Sequence, residues 1–298
     1  NVRLLATGDI NLQAALQTLG AGTLTLITGG DLALDSITAG TGTITLQAAG
    51  GVVDGLAGEG ANVTSVGHLT IDAGAAIGGL DAAEDDIDVA VASIDAVAAN
   101  GVIAIDAAGA LTVASAGIAA TAAHDVSLSV ADQLTVTGDI AGRTLRIDAG
   151  SINQTGRVLA DRDLLMTVDN DYRLSGESAA ESNVHVTGGQ VLIDGSLAVT
   201  SGDLSVIAGT LLRLGPVAPV DTADGTVDLS ASGLLAVTDG ARVRSVTGDV
   251  RLSGDAGVLV TGVATSGDVS ILSANGFIQD AGDASVDGGP GSGVIADA

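Results

Sequence analysis

The chain has 298 residues, of which 44 are Gly and 46% are hydrophobic, yet only 1% are aromatic and none is Cys or Trp. All ten basic residues are Arg, and 36 acidic residues bring the net charge to −26. This charge would repel phosphate backbones and anionic lipid surfaces, which argues against nucleic-acid binding. Because the apolar residues are almost all Ala, Val, Leu and Ile, we expect a thin, evenly layered core with few rings.

The start of the chain and its longest uncharged run indicate whether it carries a signal peptide or a membrane helix. It opens NVRLLATGDI, without the basic start and apolar block of a signal peptide, so we expect an internal or processed piece of a longer protein. Polar residues and glycines interrupt the uncharged run over residues 10–30, which is therefore a poor membrane helix. We expect no membrane insertion.

A short apolar pattern recurs along the whole chain. Thirteen times, two apolar residues separated by one residue follow a turn-forming position, and successive pairs lie 19 to 25 residues apart except for one step of 34. Alternation of this kind is typical of β-strands. The pairs are Val2/Leu4, Leu24/Leu26, Ile44/Leu46, Leu69/Ile71, Ile103/Ile105, Val126/Leu128, Leu145/Ile147, Leu164/Met166, Val184/Val186, Leu204/Val206, Val227/Leu229, Val250/Leu252 and Val269/Ile271.

Two further apolar positions follow each pair. The first, eight residues after the start of the pair, is occupied by Ile10, Leu32, Val52, Ile77, Leu111, Leu134, Tyr172, Leu192, Leu212, Leu235, Val258 and Phe277, with Asn153 as the polar exception beside Ile152. The second is looser and includes Ile37, Val158, Leu197 and Val263. Three short strands in each repeat predict an all-β fold, a parallel β-helix (solenoid) of about 13 coils of roughly 19–25 residues. We expect a right-handed helix from the crossover rule, and one β-helix segment over residues 1–298.

A polar residue precedes nearly every pair. It is Asn, Thr, His or Asp in twelve of thirteen repeats, and Val102 is the exception. Short polar side chains at such positions can bond neighbouring backbone groups, so we expect them to close turns.

The stretch GSINQTGRVLADRDLLMTV (residues 150–168) is the clearest copy of the unit, and SGDLSVIAG (201–209) and TGDVRLSG (247–254) follow the same pattern. These segments resemble the repeats of filamentous-haemagglutinin-type adhesins, the exoproteins of bacterial two-partner secretion, and of related giant β-helical surface proteins. The resemblance implies a right-handed β-helix on an exported protein that forms an adhesive or structural fibre.

The 34-residue step contains an acidic stretch, which we set apart as an insertion or irregular coil over residues 79–100. Two interpretations are open: an insertion of about 13 residues, or two short coils that pass through Ile87. Five of its acids lie within eight residues, Asp81, Glu84, Asp85, Asp86 and Asp88. Residues 81–88 could gather oxygen ligands for Ca²⁺, but neither the EF-hand nor the Gly-rich calcium repeat is present. A solvated acidic loop is the favoured interpretation.

Other candidate sites have structural explanations. DNDYRLSGE (169–177) looks like a calcium loop, but Arg173 stands where a ligand would be needed, so we expect a turn with Tyr172 packed inward. His68, His124 and His185 lie in the turns or strands of separate coils. No Ser-His-Asp order, metal-spaced His pair or phosphate loop is evident in the sequence. We therefore predict no catalytic, cofactor-binding or metal-binding residues, and no enzyme.

The residue between the two apolar members of each pair should point outward. Thr25, Thr45 and Thr70 would form a short stack that stops at Ala104, and Asp228 would lie beside Arg251 as a cross-strand pair. This mixed series is typical of solvated surface and predicts no ligand array.

These patterns together predict a structural rod of an exported bacterial surface or extracellular fibre, acting as an adhesin stalk or filament subunit outside the cell. We expect it to continue in a longer chain or to associate end to end. The alternative is an adhesin module whose loops bind a receptor or a glycan. A polysaccharide-active enzyme is the third hypothesis, and it would need paired carboxylates and aromatic platforms.

Overall fold

The computed structural model describes residues 1–18, 20–56, 58, 60–80, 85–121 and 123–281. Every regular element in these residues is a β-strand, and the strands stack in parallel as a β-solenoid of about 13 turns, which confirms the predicted fold class. The chain divides into two compact units, residues 1–161 and 162–298, and each is described by itself.

The first unit holds sixteen strands. They are β1 (Val2–Ala6), β2 (Ile10–Asn11), β3 (Leu16–Thr18), β4 (Leu24–Thr28), β5 (Leu32–Leu34), β6 (Ile37–Ala39), β7 (Ile44–Ala48), β8 (Val52–Asp54), β9 (Val63–Ala73), β10 (Ile87–Ala98), β11 (Ile103–Ala107), β12 (Leu111–Ala120), β13 (Val126–Val136), β14 (Ile140–Gly142), β15 (Leu145–Gln154) and β16 (Arg157–Ala160).

The second unit holds fifteen strands. They are β17 (Asp163–Val168), β18 (Asp171–Leu174), β19 (Glu177–Ala180), β20 (Asn183–Ile193), β21 (Ser196–Val199), β22 (Leu204–Leu214), β23 (Pro219–Thr222), β24 (Val227–Ala231), β25 (Leu234–Val237), β26 (Arg242–Ser245), β27 (Val250–Gly254), β28 (Gly257–Val260), β29 (Val263–Ala264), β30 (Val269–Leu272) and β31 (Phe277–Asp280).

Strands from successive turns pair in register, so equal positions of the repeat lie above one another. In the first unit β1, β4, β7 and β9 form one such column, in which Leu4, Leu26, Leu46 and Ile71 are successive partners. In the second unit β17, β20, β22, β24, β27 and β30 form another. Alternate side chains point inward, and one turn buries the apolar face of the next.

The apolar pairs occupy the core as predicted, except at two places. Eleven of the thirteen pairs are fully buried at both positions. In the first turn of the first unit Leu4 is 39% exposed, and in the last turn of the second unit Val269 is 46% exposed. Both strands pair with a described neighbour on one side only, β1 with β4 and β30 with β27. Stacking is therefore what buries these side chains.

The 34-residue step is a change of column. The register partner of Leu69 is Ile94 on β10, whereas Ile103 follows Val52 and Ile77 in a different column. The apolar pair at Ile103 thus continues the series of Ile10, Leu32 and Val52. The predicted series of pairs therefore passed over the strand that contains Ile94. Residues 87–98 of the predicted acidic insertion form β10, an inward–outward alternating strand, and neither sequence interpretation included Ile94 as the next anchor.

Two of the predicted inward residues in the second unit face the other way. Val191 pairs with the buried Tyr172, while Leu192 pairs with Arg213 on the outer face. Ile278 is opposite Val258, and Phe277 is 48% exposed. A one-residue difference in the length of a corner exchanges the inward and outward sets of a strand, because the side-chain period is two.

Candidate functional site

The polar residue that precedes a strand bonds the following turn of the solenoid. In the first unit the Asp31 N–H donates to Asp9 Oδ1 at 2.9 Å, and the Gly51 N–H donates to Asp31 Oδ1 at 2.7 Å. In the second unit Asn183 Oδ1 accepts from the Asp203 N–H at 3.1 Å. Asn183, one of the polar residues that precede an apolar pair, thus bonds a backbone group as expected, and that group lies on the next coil.

A buried asparagine joins two adjacent turns of the first unit. Asn62 is fully buried, its Nδ2 donates to Asp54 Oδ1 at 2.5 Å, and its Oδ1 accepts from the Asp88 N–H at 2.8 Å. Leaving such a buried amide or its partners unpaired would cost about 1–3 kcal/mol. Asp88, one of the predicted calcium ligands, is thus held through its backbone N–H near the start of β10.

Four arginines bond an aspartate of the preceding turn. The pairs are Arg143–Asp125, Arg157–Asp139, Arg213–Asp194 and Arg242–Asp221, and their members are 18 to 21 residues apart. In the Arg143–Asp125 pair both oxygens accept, from Nε and from an Nη, each at 2.8 Å. Bidentate contacts of this kind fix orientation as well as charge. Four of the ten arginines of this chain therefore join adjacent turns.

The guanidinium groups change the acidity of their partners. Bonding to Arg143 holds the pKa of the Asp125 carboxyl below its ordinary value, and the bond from the Thr144 N–H acts in the same direction. Arg157 likewise lowers the pKa of Asp139. A carboxyl whose pKa is lower in the folded than in the unfolded chain stabilises the fold in its ionised form.

The Asp125–Arg143 pair should make the stability of the first unit depend on pH in the acidic range. Its contribution is complete above the ordinary Asp pKa of about 4 and is lost as pH falls through the lowered folded pKa, because the native state then has to take up the proton. We expect Arg143→Gln to lower the denaturation midpoint at about pH 6 and to have much less effect near about pH 2. Urea titrations at both pH values, with Asp125→Asn and the double variant as controls, measure this. An equal loss at both pH values would contradict it.

A network of contacts among side chains, rather than between a side chain and the backbone, surrounds His68. His68 Nδ1 lies 2.9 Å from Ser93 Oγ, and His68 Nε2 lies 3.2 Å from Asp95 Oδ2 and 3.2 Å from Thr70 Oγ1. Asp95 Oδ1 accepts from the Gly117 N–H at 2.8 Å. We call His68, Thr70, Ser93 and Asp95 the His68 cluster. It joins a hydroxyl, an imidazole and a carboxylate, an order that the sequence did not show.

The register of β9 and β10 builds the His68 cluster. His68 and Ser93 are register partners, as are Thr70 and Asp95. His68 is recognisable in the sequence as a residue at a strand start, whereas Ser93 and Asp95 were not predicted as site residues. The signal was available in the tripeptide Ser93–Ile94–Asp95, which has the polar–apolar–polar form of the other strand starts.

The other two histidines have simpler surroundings. His124 Nε2 lies 3.2 Å from Asn100 Oδ1, on the preceding turn of the first unit. His185 is the register partner of Ser205, and within the described residues no hydrogen bond joins their side chains. His185 and Ser205 thus provide an internal counterpart of His68 and Ser93.

The predicted calcium stretch is only partly described. Asp81 and Glu84 lie outside the described residues, and the Asp85 carbonyl accepts from the Gly79 N–H at 2.7 Å. Among the residues that the structure describes, no group of three or more His, Cys, Asp or Glu side chains is placed to hold a metal ion. Calcium binding over residues 81–88 stays a prediction.

The DNDYRLSGE segment (169–177) forms strand β18 with its flanking turns. Tyr172 is fully buried, as expected, and its hydroxyl lies 3.3 Å from Ser178 Oγ. Burial raises the pKa of this phenol well above its ordinary value, so the hydroxyl stays neutral. Arg173 points to the exposed side of β18. The segment is part of the core wall.

The outward-facing residues between the members of the apolar pairs match the prediction from the sequence in part. Thr25, Thr45 and Thr70 stack in register, and the next partner is Asp95 rather than Ala104. Asp228 and Arg251 are register partners as predicted, although the ion pair of Arg251, at 3.8 Å, is with Asp249.

Comparison with protein-family models, with curated proteins and with solved structures finds no match for this chain. Within the described residues no helix has the length and apolar character needed to cross a membrane.

Proposed function

We propose that the chain is a structural segment of an exported bacterial surface or extracellular fibre, acting as an adhesin stalk or filament subunit. A β-helix suits a rod or adhesin-like role, because each turn supports the next and the repeat can be lengthened without a new core. The resemblance to filamentous-haemagglutinin-type repeats supports the same role and an extracellular location.

The observation that carries this proposal is the direction of the polar contacts. The strand-start carboxylates and amides, and four of the arginine–aspartate pairs, join residues about one turn apart. Side chains of the kind that bind ligands in other proteins thus bond the neighbouring turn here. We infer that the acids serve stacking and solubility rather than a substrate.

The same features weigh against a polysaccharide-active enzyme. Sugar sites combine carboxylate pairs with exposed aromatic platforms, and of the two aromatic residues Tyr172 is fully buried. The alternative of receptor or glycan binding by loops would rest on residues between the strands, for which the sequence offers the acidic stretch 81–85.

The first turn offers a place for a further turn to stack. In the described residues β1 pairs with β4 alone, and its Leu5 side chain is 66% exposed. Open strand edges readily accept another strand. We propose that a neighbouring turn covers this edge, supplied by a longer chain or by a second subunit end to end.

Electron microscopy of the chain and of its native assembly tests the structural role. We expect slender particles of uniform width that resist proteolysis, and longer ones in the native assembly. Compact particles, or rapid cleavage within the strands, would contradict the proposal. A glycan array forms a separate arm, in which binding that is lost in Asp81→Asn/Glu84→Gln/Asp85→Asn would favour the adhesin-module alternative.

A further inference from the structure

The His68 cluster has the connectivity of an activated serine. A nucleophile bonded to a base, which a third group orients in turn, is the geometric signature of nucleophilic catalysis on unrelated folds. Ser93 Oγ is 2.9 Å from His68 Nδ1, and Asp95 Oδ2 is 3.2 Å from His68 Nε2. Both distances, from the hydroxyl to the base and from the base to the orienting acid, are therefore short.

The charge of Asp95 favours one tautomer of the imidazole. Asp95 Oδ2 lies 3.2 Å from Nε2, and because a carboxylate cannot donate a proton to the ring, this contact favours the N–H on Nε2. His68 Nδ1 is then a free acceptor, and the Ser93 hydroxyl donates to it. This tautomer is the one in which a histidine can remove the proton from serine.

The backbone holds the cluster in place. Asp95 Oδ1 accepts from the Gly117 N–H at 2.8 Å, so the carboxylate is anchored to the following turn. The β9–β10 ladder shifts register between Val91 and Ser93, and Ala92 and Ser93 both turn away from the core. Bulges of this kind re-aim side chains and are frequent beside active sites. The irregularity coincides with the residue whose hydroxyl would react.

Access to the cluster is from the outer face of β9 and β10. The side chains of His68 and Asp95 are 29% and 14% exposed, and Ser93 is half-buried. The base and acid are thus partly shielded from water while the hydroxyl can be reached. A small electrophile could approach Ser93 from solvent without entering the core.

We propose that Ser93 is a nucleophile that accepts an acyl group from small activated esters, with His68 as its base and Asp95 as the orienting carboxylate. Ser93 Oγ attacks the carbonyl carbon, and its proton passes to His68 Nδ1. The bond from that carbon to the leaving group breaks, and the leaving group departs with the electron pair and takes the proton from Nδ1. Asp95 faces the imidazolium that forms between these transfers, and Ser93 remains as an ester.

A fluorophosphonate probe tests this step directly, since Ser93 Oγ would displace fluoride from phosphorus and leave a stable adduct. We expect intact-mass and peptide analysis of the native chain to place the adduct on Ser93. General base catalysis supplies about 10²–10⁴-fold in rate. Labelling should therefore slow by about 10²-fold or more in His68→Asn, slow clearly in Asp95→Asn, and vanish from this site in Ser93→Ala.

Ser205 is the matched control, because His185 is its register partner without a hydrogen bond to it within the described residues. Ser205 should remain unlabelled, and Ser205→Ala should leave the reaction unchanged. Asp95→Asn preserves the Oδ1 acceptor for Gly117 and so keeps the backbone anchor if His68→Asn fails to fold. No adduct on Ser93, equal labelling of Ser205, or an unchanged rate in Asp95→Asn would overturn the proposal.

Discussion

Leu46→Ala is expected to lower the free energy of unfolding of the first unit by about 2–5 kcal/mol, the usual cost of truncating a buried leucine. Leu46 is fully buried on β7, between Leu26 on the preceding turn and Ile71 on the following turn. Because large rings are absent from this part of the core, few side chains can move in to fill the cavity. The loss should lie toward the upper part of that range.

Thr45→Ala is the control for this change. Thr45 is the outward neighbour of Leu46 on the same strand, where it stacks between Thr25 and Thr70. Thr45 is half-buried and faces outward, and a surface substitution of this kind normally changes stability by less than about 0.5 kcal/mol. Guanidinium denaturation followed by circular dichroism would measure both variants. Similar losses for Leu46→Ala and Thr45→Ala would show that stacking does not bury the core as described.

Gly117→Ala is expected to destabilise the first unit by at least about 1–3 kcal/mol, the cost of a strained backbone conformation alone. Gly117 has a φ of +85°, and a Cβ there would lie 2.2 Å from the Asp139 backbone oxygen on the next turn. That oxygen also accepts from the Ile118 N–H at 2.8 Å, so it cannot retreat without breaking a bond between turns.

Gly8→Ala is the corresponding control, because a Cβ at Gly8 would meet nothing within 4 Å. Reducing the freedom of the unfolded chain should make this variant neutral or more stable by up to about 1 kcal/mol. Thermal melts of the two alanine variants compare them directly. A Gly117→Ala protein as stable as the parent would mean that adjacent turns tolerate more separation than these contacts indicate.

Strand alternation was the part of the fold that could be predicted with most success. Pairs such as Leu24/Leu26 and Leu204/Val206 are buried because inward positions in a parallel stack must be apolar on every turn. The polar residue before each pair was also recognised. Its partner was not, because a hydrogen bond such as the one that the Asp203 N–H donates to Asn183 Oδ1 depends on how two turns align.

The candidate site could be predicted only in fragments. His68 was recognised as a residue at the start of a strand, but the step from Leu69 to Ile103 passed over Ile94 and its neighbours. An alternating strand has the same pattern on any of the three sides of a coil, so spacing alone could not assign Ile94 or Ile103 to a column. Without that assignment, Ser93 and Asp95 had no reason to lie beside His68.

The sequence by itself determined the fold class and most of the core, because a period of two and a repeat of about 20 residues leave few ways to bury so many small aliphatic side chains. Only the tertiary structure decided which residues of two successive turns lie next to each other. The register between β9 and β10 sets that arrangement, and it places a serine, a histidine and an aspartate within hydrogen-bonding reach. Contacts between residues about 25 apart depend on corner lengths, and local residue preferences do not encode those lengths.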